Sequence, residues 1–189
     1  QAEDGIRDVE RSRGLGDVYK RQILGNVSER RIARLIDDTA NEGLPLFLID
    51  KEKVGLNSGY MIPQYVAAAL ASENKVLAHP ASVDSIPTSA NFEDFVSMGS
   101  IAARKAYEIV KNTRRIIAIE LLLGCQAIDF RGGSDMLGIG TKVIYDTIRK
   151  EVPMLRDDRI LMHDILKVET LLKTSDLIKR VENIVGELK

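Results

Sequence analysis

The chain has 189 residues, 44% of them hydrophobic, enough to bury one substantial core. Its 27 Lys and Arg balance 28 Asp and Glu to a formal net charge of -1, and only 5% of residues are aromatic, with no Trp. That excludes the basic surplus and the stacking platforms by which nucleic-acid binders are recognised.

Residues 1–22 (QAEDGIRDVERSRGLGDVYKRQ) mix charges of both signs with Gly5, Gly14 and Gly16 and carry no sustained apolar period. They are expected to be a disordered or weakly structured leader, or a non-native one resembling translated adapter sequence, distinct from a body spanning 23–189. There is no apolar signal segment, so the glycosylation pattern at Asn26-Val27-Ser28 reads instead as a helix start. Ser28 is the expected N-cap of a first helix over about 29–41, with Ile32, Leu35 and Ile36 as its stripe and Gly43 as its stop.

The stretch 44–60, with Pro45, Gly55 and Gly59, reads as loop with a short extended piece at 46–49. A second helix is predicted from near Ile62 to Leu77, Pro63 lying in its first turn. After a Pro- and Ser-rich loop at 78–91, apolar residues at three- and four-residue steps predict one long helix over about 92–129, ended by Arg131-Gly132-Gly133. Such a rod would be roughly 55 Å long. A compact monomer of this length is nearer roughly 35–40 Å across. From Ile116 onward the rod is apolar nearly all round, which calls for burial on all sides and hence for an oligomeric bundle or for partner segments. Two further helices are predicted, over about 140–151 and from about 162 or 164 to 188, the latter with a break near Thr174-Ser175 where Ser175 could cap a fresh turn.

Little catalytic machinery is visible in the residues taken alone. His79 and His163 have no Cys or His at ligand spacing, so no metal site is expected. Cys125 lies in the apolar run IIAIELLLGCQAI (116–128), which Glu120 interrupts and which is too short to span a membrane; the thiol is expected to be a buried small hydrophobe, in keeping with a reducing, cytoplasmic setting. Glu93 and Asp94 fall at the predicted start of the long helix, where acidic residues are favoured by the helix dipole without any catalytic role. Ser89 or Asn91 would serve there as a plain cap.

The blocks LNSGYMIPQ (56–64), AALASENKVLAHPASVDSIPTSA (68–90), EDFVSMG (93–99) and KNTRRIIAIELLLGCQAIDFR (111–131) closely resemble the histidine/phenylalanine/tyrosine ammonia-lyase family, over about residues 23–189. The resemblance implies an all-α, long-helix bundle, the C-terminal part of the ammonia-lyase (fumarase/aspartase-like) fold. It implies a cytoplasmic homotetramer with active sites shared between subunits. It also implies a protein-derived 4-methylideneimidazol-5-one electrophile that forms from Ala-Ser-Gly, a triplet absent from this sequence. The family's catalytic tyrosines, its carboxylate-binding Asn and Arg and its Asn-Phe-His-Gly block are likewise absent, so the chain is expected to be a C-terminal portion that is inactive alone.

What the resemblance leaves in this chain is one wall of the pocket. Glu93 matches the position where histidine-specific members carry Glu and phenylalanine-specific plant members carry Gln. A carboxylate there can accept an imidazole N–H and favour the charged ring, whereas beside a phenyl ring it would be buried without a partner. Met61 and Ser89 match pocket-lining positions, and Tyr65 lies one helical turn beyond Met61. The expected reaction is therefore non-oxidative deamination of L-histidine to trans-urocanate and ammonia, with Glu93 as the catalytic candidate and Met61, Ser89 and Tyr65 as substrate-binding candidates. The chain departs from the pattern at Phe92-Glu93-Asp94-Phe95, where many histidine lyases read Gln-Glu-Asp-His. A phenylalanine or tyrosine lyase or an aminomutase on the same scaffold stays open, as does a non-catalytic helical oligomerisation module.

Overall fold

The structure, a computed structural model, describes residues 2–174 and 176–188. Among the described residues six α-helices follow in chain order: α1 Ala2–Ile36, α2 Met61–Leu77, α3 Gly99–Phe130, α4 Ile139–Glu151, α5 Leu161–Lys173 and α6 Asp176–Val185. Short 3-10 turns punctuate the connections, and no β-strand forms among the described residues. The all-α reading therefore holds. None of the described helices is long and apolar enough to cross a membrane.

The central element is α3, packed against α1, α2 and α5. Ile116, Ile119, Leu122 and Leu123 of α3 join Ile32 of α1, Ala67 and Ala71 of α2, and Ile165 and Val168 of α5 in one core. Ile148 and Val152 close it from the α4 side, while α4 packs also against α6. The small Ala67 and Ala71 let α2 approach α3 closely. At 32 residues α3 is about 48 Å long. Within this chain α1, α2 and α5 cover much of its apolar half, where Ile116, Ile119, Leu122 and Leu123 are fully buried. One face stays open: Ile117, Leu121, Gly124 and Ile128 line a groove of about 790 Å³ between α1 and α4.

Helix α1 corrects two expectations. Its backbone is helical from Ala2, through the stretch 2–22 read as part of a leader, where a helix start was expected only near Glu29. That leader has no apolar stripe, yet neither has it a proline, and extending an anchored helix is much cheaper than nucleating one. Ser28 is accordingly no N-cap; it lies buried within α1 and donates to the Glu120 carboxylate. Arg31 binds the same carboxylate, its Nη2 at 3.1 Å, so the acid that interrupts the apolar run of α3 is held by two partners from α1. The helix stops at Ile36 rather than Asn41, because Asp37 turns the chain: its Oδ1 accepts from Thr39 N at 3.0 Å and its carbonyl from Asn41 N at 2.9 Å.

Elsewhere the elements fall close to their predicted positions. The end of α3 at Phe130 is closed by Gly132 and Gly133 at φ of 100° and 97°, with Gly133 N donating to Ile128 O at 3.0 Å. The predicted break separates α5 from α6; the capping role expected of Ser175 lies outside the described residues. Instead of an extended piece at 46–49, the chain forms a 3-10 turn at Leu46–Leu48 in which Phe47 and Leu48 are both left-handed at φ 53°. The turn exists because it packs against Gly59: a Cβ at Gly59 would stand 2.5 Å from Phe47 O, and Tyr60 N donates to that same oxygen at 3.0 Å. The long helix begins at Gly99 and not at Phe92, with direct consequences for the site.

Candidate functional site

Two segments, at opposite ends of α2, carry the residues singled out from the sequence. The first is the turn 57–60 and the start of α2. Proline at position 63, buried in the first turn, needs no backbone N–H there and helps fix where the helix begins. No side chain caps Tyr60 from within its own turn. Instead the carboxylate of Asp158, in the loop between α4 and α5, accepts from two consecutive amides, Ser58 N at 2.7 Å and Gly59 N at 2.9 Å. Asp158 N donates in return to Asn57 Oδ1 at 2.9 Å. Lys53 Nζ adds a second link between the same loops, donating to Asp157 Oδ1 at 2.5 Å and to Arg156 O at 3.0 Å.

Below this clamp, Gln126 of α3 is fully buried. Its Nε2 donates to Leu48 O at 3.1 Å and Leu155 O at 2.8 Å, and its Oε1 accepts from Leu155 N at 3.0 Å. A side chain from the central helix thus satisfies backbone groups of two loops that otherwise lack secondary-structure partners. On this support Met61 is half-buried at the start of α2, and Tyr65, one turn on, is 63% exposed.

The second segment is the loop from Ala78 to Met98. Three consecutive non-glycine residues, Ser89, Ala90 and Asn91, are left-handed at φ 53°, 53° and 71°, and Met98 follows at 45°. Each costs energy relative to ordinary backbone, and such strain gathers at functional sites. A two-residue antiparallel bridge holds the turn closed: Thr88 N donates to Glu93 O at 2.9 Å, and Glu93 N to Thr88 O at 3.3 Å. Ser85 Oγ accepts from Val96 N at 2.9 Å and ties down the far side.

Glu93 therefore lies in this bridged turn, ahead of α3 rather than in its first turn. The helix-dipole explanation for an acid at that position falls away, as does the capping role considered for Ser89 or Asn91. The Glu93 carboxylate is at the surface of this chain and accepts from Thr88 Oγ1 at 3.0 Å. Phe92 beside it is 92% exposed. Ser89 and Glu93 are brought together by the turn, Phe92 N donating to Ser89 O at 3.1 Å; Met61 and Tyr65 are brought together by α2. The described hydrogen bonds of Glu93 stay inside its own turn.

Burial pushes the Cys125 thiol up to about 11, so at neutral pH it is a protonated, enclosed side chain and no nucleophile. Both histidines are exposed, and no group of three potential metal ligands occurs among the described residues. Asp158 was missed by sequence reasoning. About a hundred residues separate it from the amides it holds, and a charged loop after Pro153 gives no sign of the partner.

The family model of aromatic amino acid lyases matches residues 20–150. Histidine ammonia-lyase 1 of Fusobacterium nucleatum is 54% identical over 166 residues, which cover 88% of this chain and 32% of that protein. The histidine ammonia-lyase of Alkaliphilus oremlandii is 58% identical over 162 residues, 86% of this chain and 31% of that protein. Among solved structures, the histidine ammonia-lyase of Trypanosoma cruzi superposes with a TM-score of 0.79 at 48% identity, over 86% of this chain and 32% of that one. The tyrosine aminomutase of Streptomyces globisporus superposes with a TM-score of 0.84 at 35% identity, over 90% of this chain and 32% of that one. The chain spans about a third of the length of the curated relatives it matches.

Proposed function

The chain belongs to the aromatic amino acid lyase family, and from that membership we propose that it forms one wall of the active site of an enzyme that deaminates L-histidine to trans-urocanate and ammonia. The observation that carries the reading is Glu93, a surface carboxylate whose described partner is a hydroxyl, held in a strained, bridged turn. A carboxylate so placed is free to take an imidazole N–H and, by its charge, to favour the protonated ring. Histidine ammonia-lyases at 54% and 58% identity support the same substrate.

The family's electrophile arises from Ala-Ser-Gly, and that triplet does not occur in these 189 residues. The chain does not supply the group, and we assign no bond-making step to it. Its own residues bind and orient: Glu93 engages the substrate ring, with Met61, Ser89 and Tyr65 around it. The rest of the pocket comes from other parts of the complete protein, in our reading a cytoplasmic homotetramer whose subunits share active sites. The exposed apolar side chains Val83, Ile86, Phe92, Phe95, Ile101 and Tyr107, on the site loop and the first half of α3, accord with such cover.

The test is direct. Complete protein incubated with L-histidine is expected to develop the absorbance of urocanate, with much slower release of cinnamate from L-phenylalanine and coumarate from L-tyrosine. Preferred turnover of tyrosine or phenylalanine would replace the histidine reading with the aromatic lyase or aminomutase alternative that Phe92 and Phe95 keep open. No turnover of any of the three would leave an oligomerisation module.

A further inference from the structure

We propose that Asp158 is a positioning residue for the substrate pocket: from the loop between α4 and α5 it fixes the turn 57–60 and, through it, the placement of Met61. The inference rests on the reading of Met61 as a pocket wall.

A carboxylate that binds two consecutive amides fixes both the position and the rotation of the peptide units that bear them. Ser58 N and Gly59 N are those amides, at 2.7 and 2.9 Å, and Met61 is the first residue of the helix that follows. The return bond from Asp158 N to Asn57 Oδ1 closes a ring that leaves the turn no hinge on its outer side. On the inner side, Gly59 lies against Phe47 O, closer than any side chain would allow. The charge also suits the place, since the positive end of α2 meets it where no local side chain caps the helix. Because Asp158 is a surface residue, its loss loosens the turn without opening the core. Lys53 joins the same two loops but touches neither amide, so it separates positioning from mere adhesion.

The experiment compares Asp158→Ala, Asp158→Asn, Lys53→Ala and Met61→Ala in the complete protein, by steady-state kinetics with L-histidine and by urea unfolding. Asp158→Ala is expected to raise KM about tenfold, the scale of one lost charge-assisted hydrogen bond, with a smaller change in kcat. Asp158→Asn, which keeps one acceptor oxygen, is expected to recover part of that loss. Lys53→Ala should lower the unfolding midpoint comparably and leave KM at the parental value. Equal KM for Asp158→Ala and Lys53→Ala, or a parental KM in Asp158→Ala, overturns the inference. If Asp158→Ala does not fold, Asp158→Asn carries the comparison against Lys53→Ala on the same terms. Met61→Ala tells the two failures apart. A raised KM there with a silent Asp158 sinks only the positioning role, whereas a silent Met61 removes the pocket reading and the inference with it.

Discussion

Glu93→Gln in the complete protein is expected to lower kcat/KM for L-histidine by roughly 10- to 100-fold, the scale of one hydrogen bond to a charged group. Glutamine keeps the size of the side chain and one acceptor oxygen, so the turn closed by Thr88 and Glu93 survives the change. What disappears is the negative charge, which matters to an imidazole able to carry a proton and not to a phenyl ring. Residual turnover of L-phenylalanine should therefore stay level or rise, since a neutral amide is cheaper to bury beside an apolar ring than a carboxylate. Steady-state assays on both substrates measure the ratio. Equal loss on both would show that Glu93 supports the site structurally and does not read the ring.

The largest expected effect on stability is at Gln126. Gln126→Ala removes three hydrogen bonds made by a fully buried side chain and strands Leu48 O, Leu155 O and Leu155 N. Each stranded group costs about 1–3 kcal/mol, and the cavity adds to it, so a loss of at least about 3 kcal/mol is expected. Urea unfolding of the complete protein, followed by far-ultraviolet circular dichroism, should show a clearly lower midpoint. Gln126→Leu fills most of the volume and should recover only the cavity part. A leucine variant as stable as the parent would mean that the two loops find other partners and that Gln126 is not what holds them.

Where local pattern and tertiary structure agree, the sequence was easy to read. The start of α2 followed from Pro63, and the end of α3 from paired glycines. The start of α3 misled because Phe95 and Met98 keep the helical period through a segment that does not helix. Spacing cannot report that Met98 is left-handed, nor that Thr88 and Glu93 pair across a turn. The length of α1 was hidden for the opposite reason, since a charged segment with no apolar stripe gives periodicity nothing to detect.

The site was legible unevenly. Glu93, Met61, Ser89 and Tyr65 came from resemblance to a family, and nothing in composition or spacing would have chosen them from the other polar and apolar side chains. The structure adds what resemblance lacked: a strained turn under Ser89 and Glu93, and a clamp under Met61. Polar residues in the middle of α3 likewise make sense only in three dimensions. Asn112 Nδ2 donates to Asn74 Oδ1 at 3.1 Å and Thr113 Oγ1 to Arg21 O at 3.3 Å, joining α3 to α2 and α1.

The central claim is that Glu93 meets the imidazole of the substrate. A crystal structure of the complete protein with urocanate bound tests it most directly. The account predicts a Glu93 carboxylate oxygen within hydrogen-bond distance of an imidazole nitrogen, with Met61 against the ring. Urocanate bound elsewhere, with the Glu93 carboxylate still facing bulk solvent as it does in this chain alone, would contradict it.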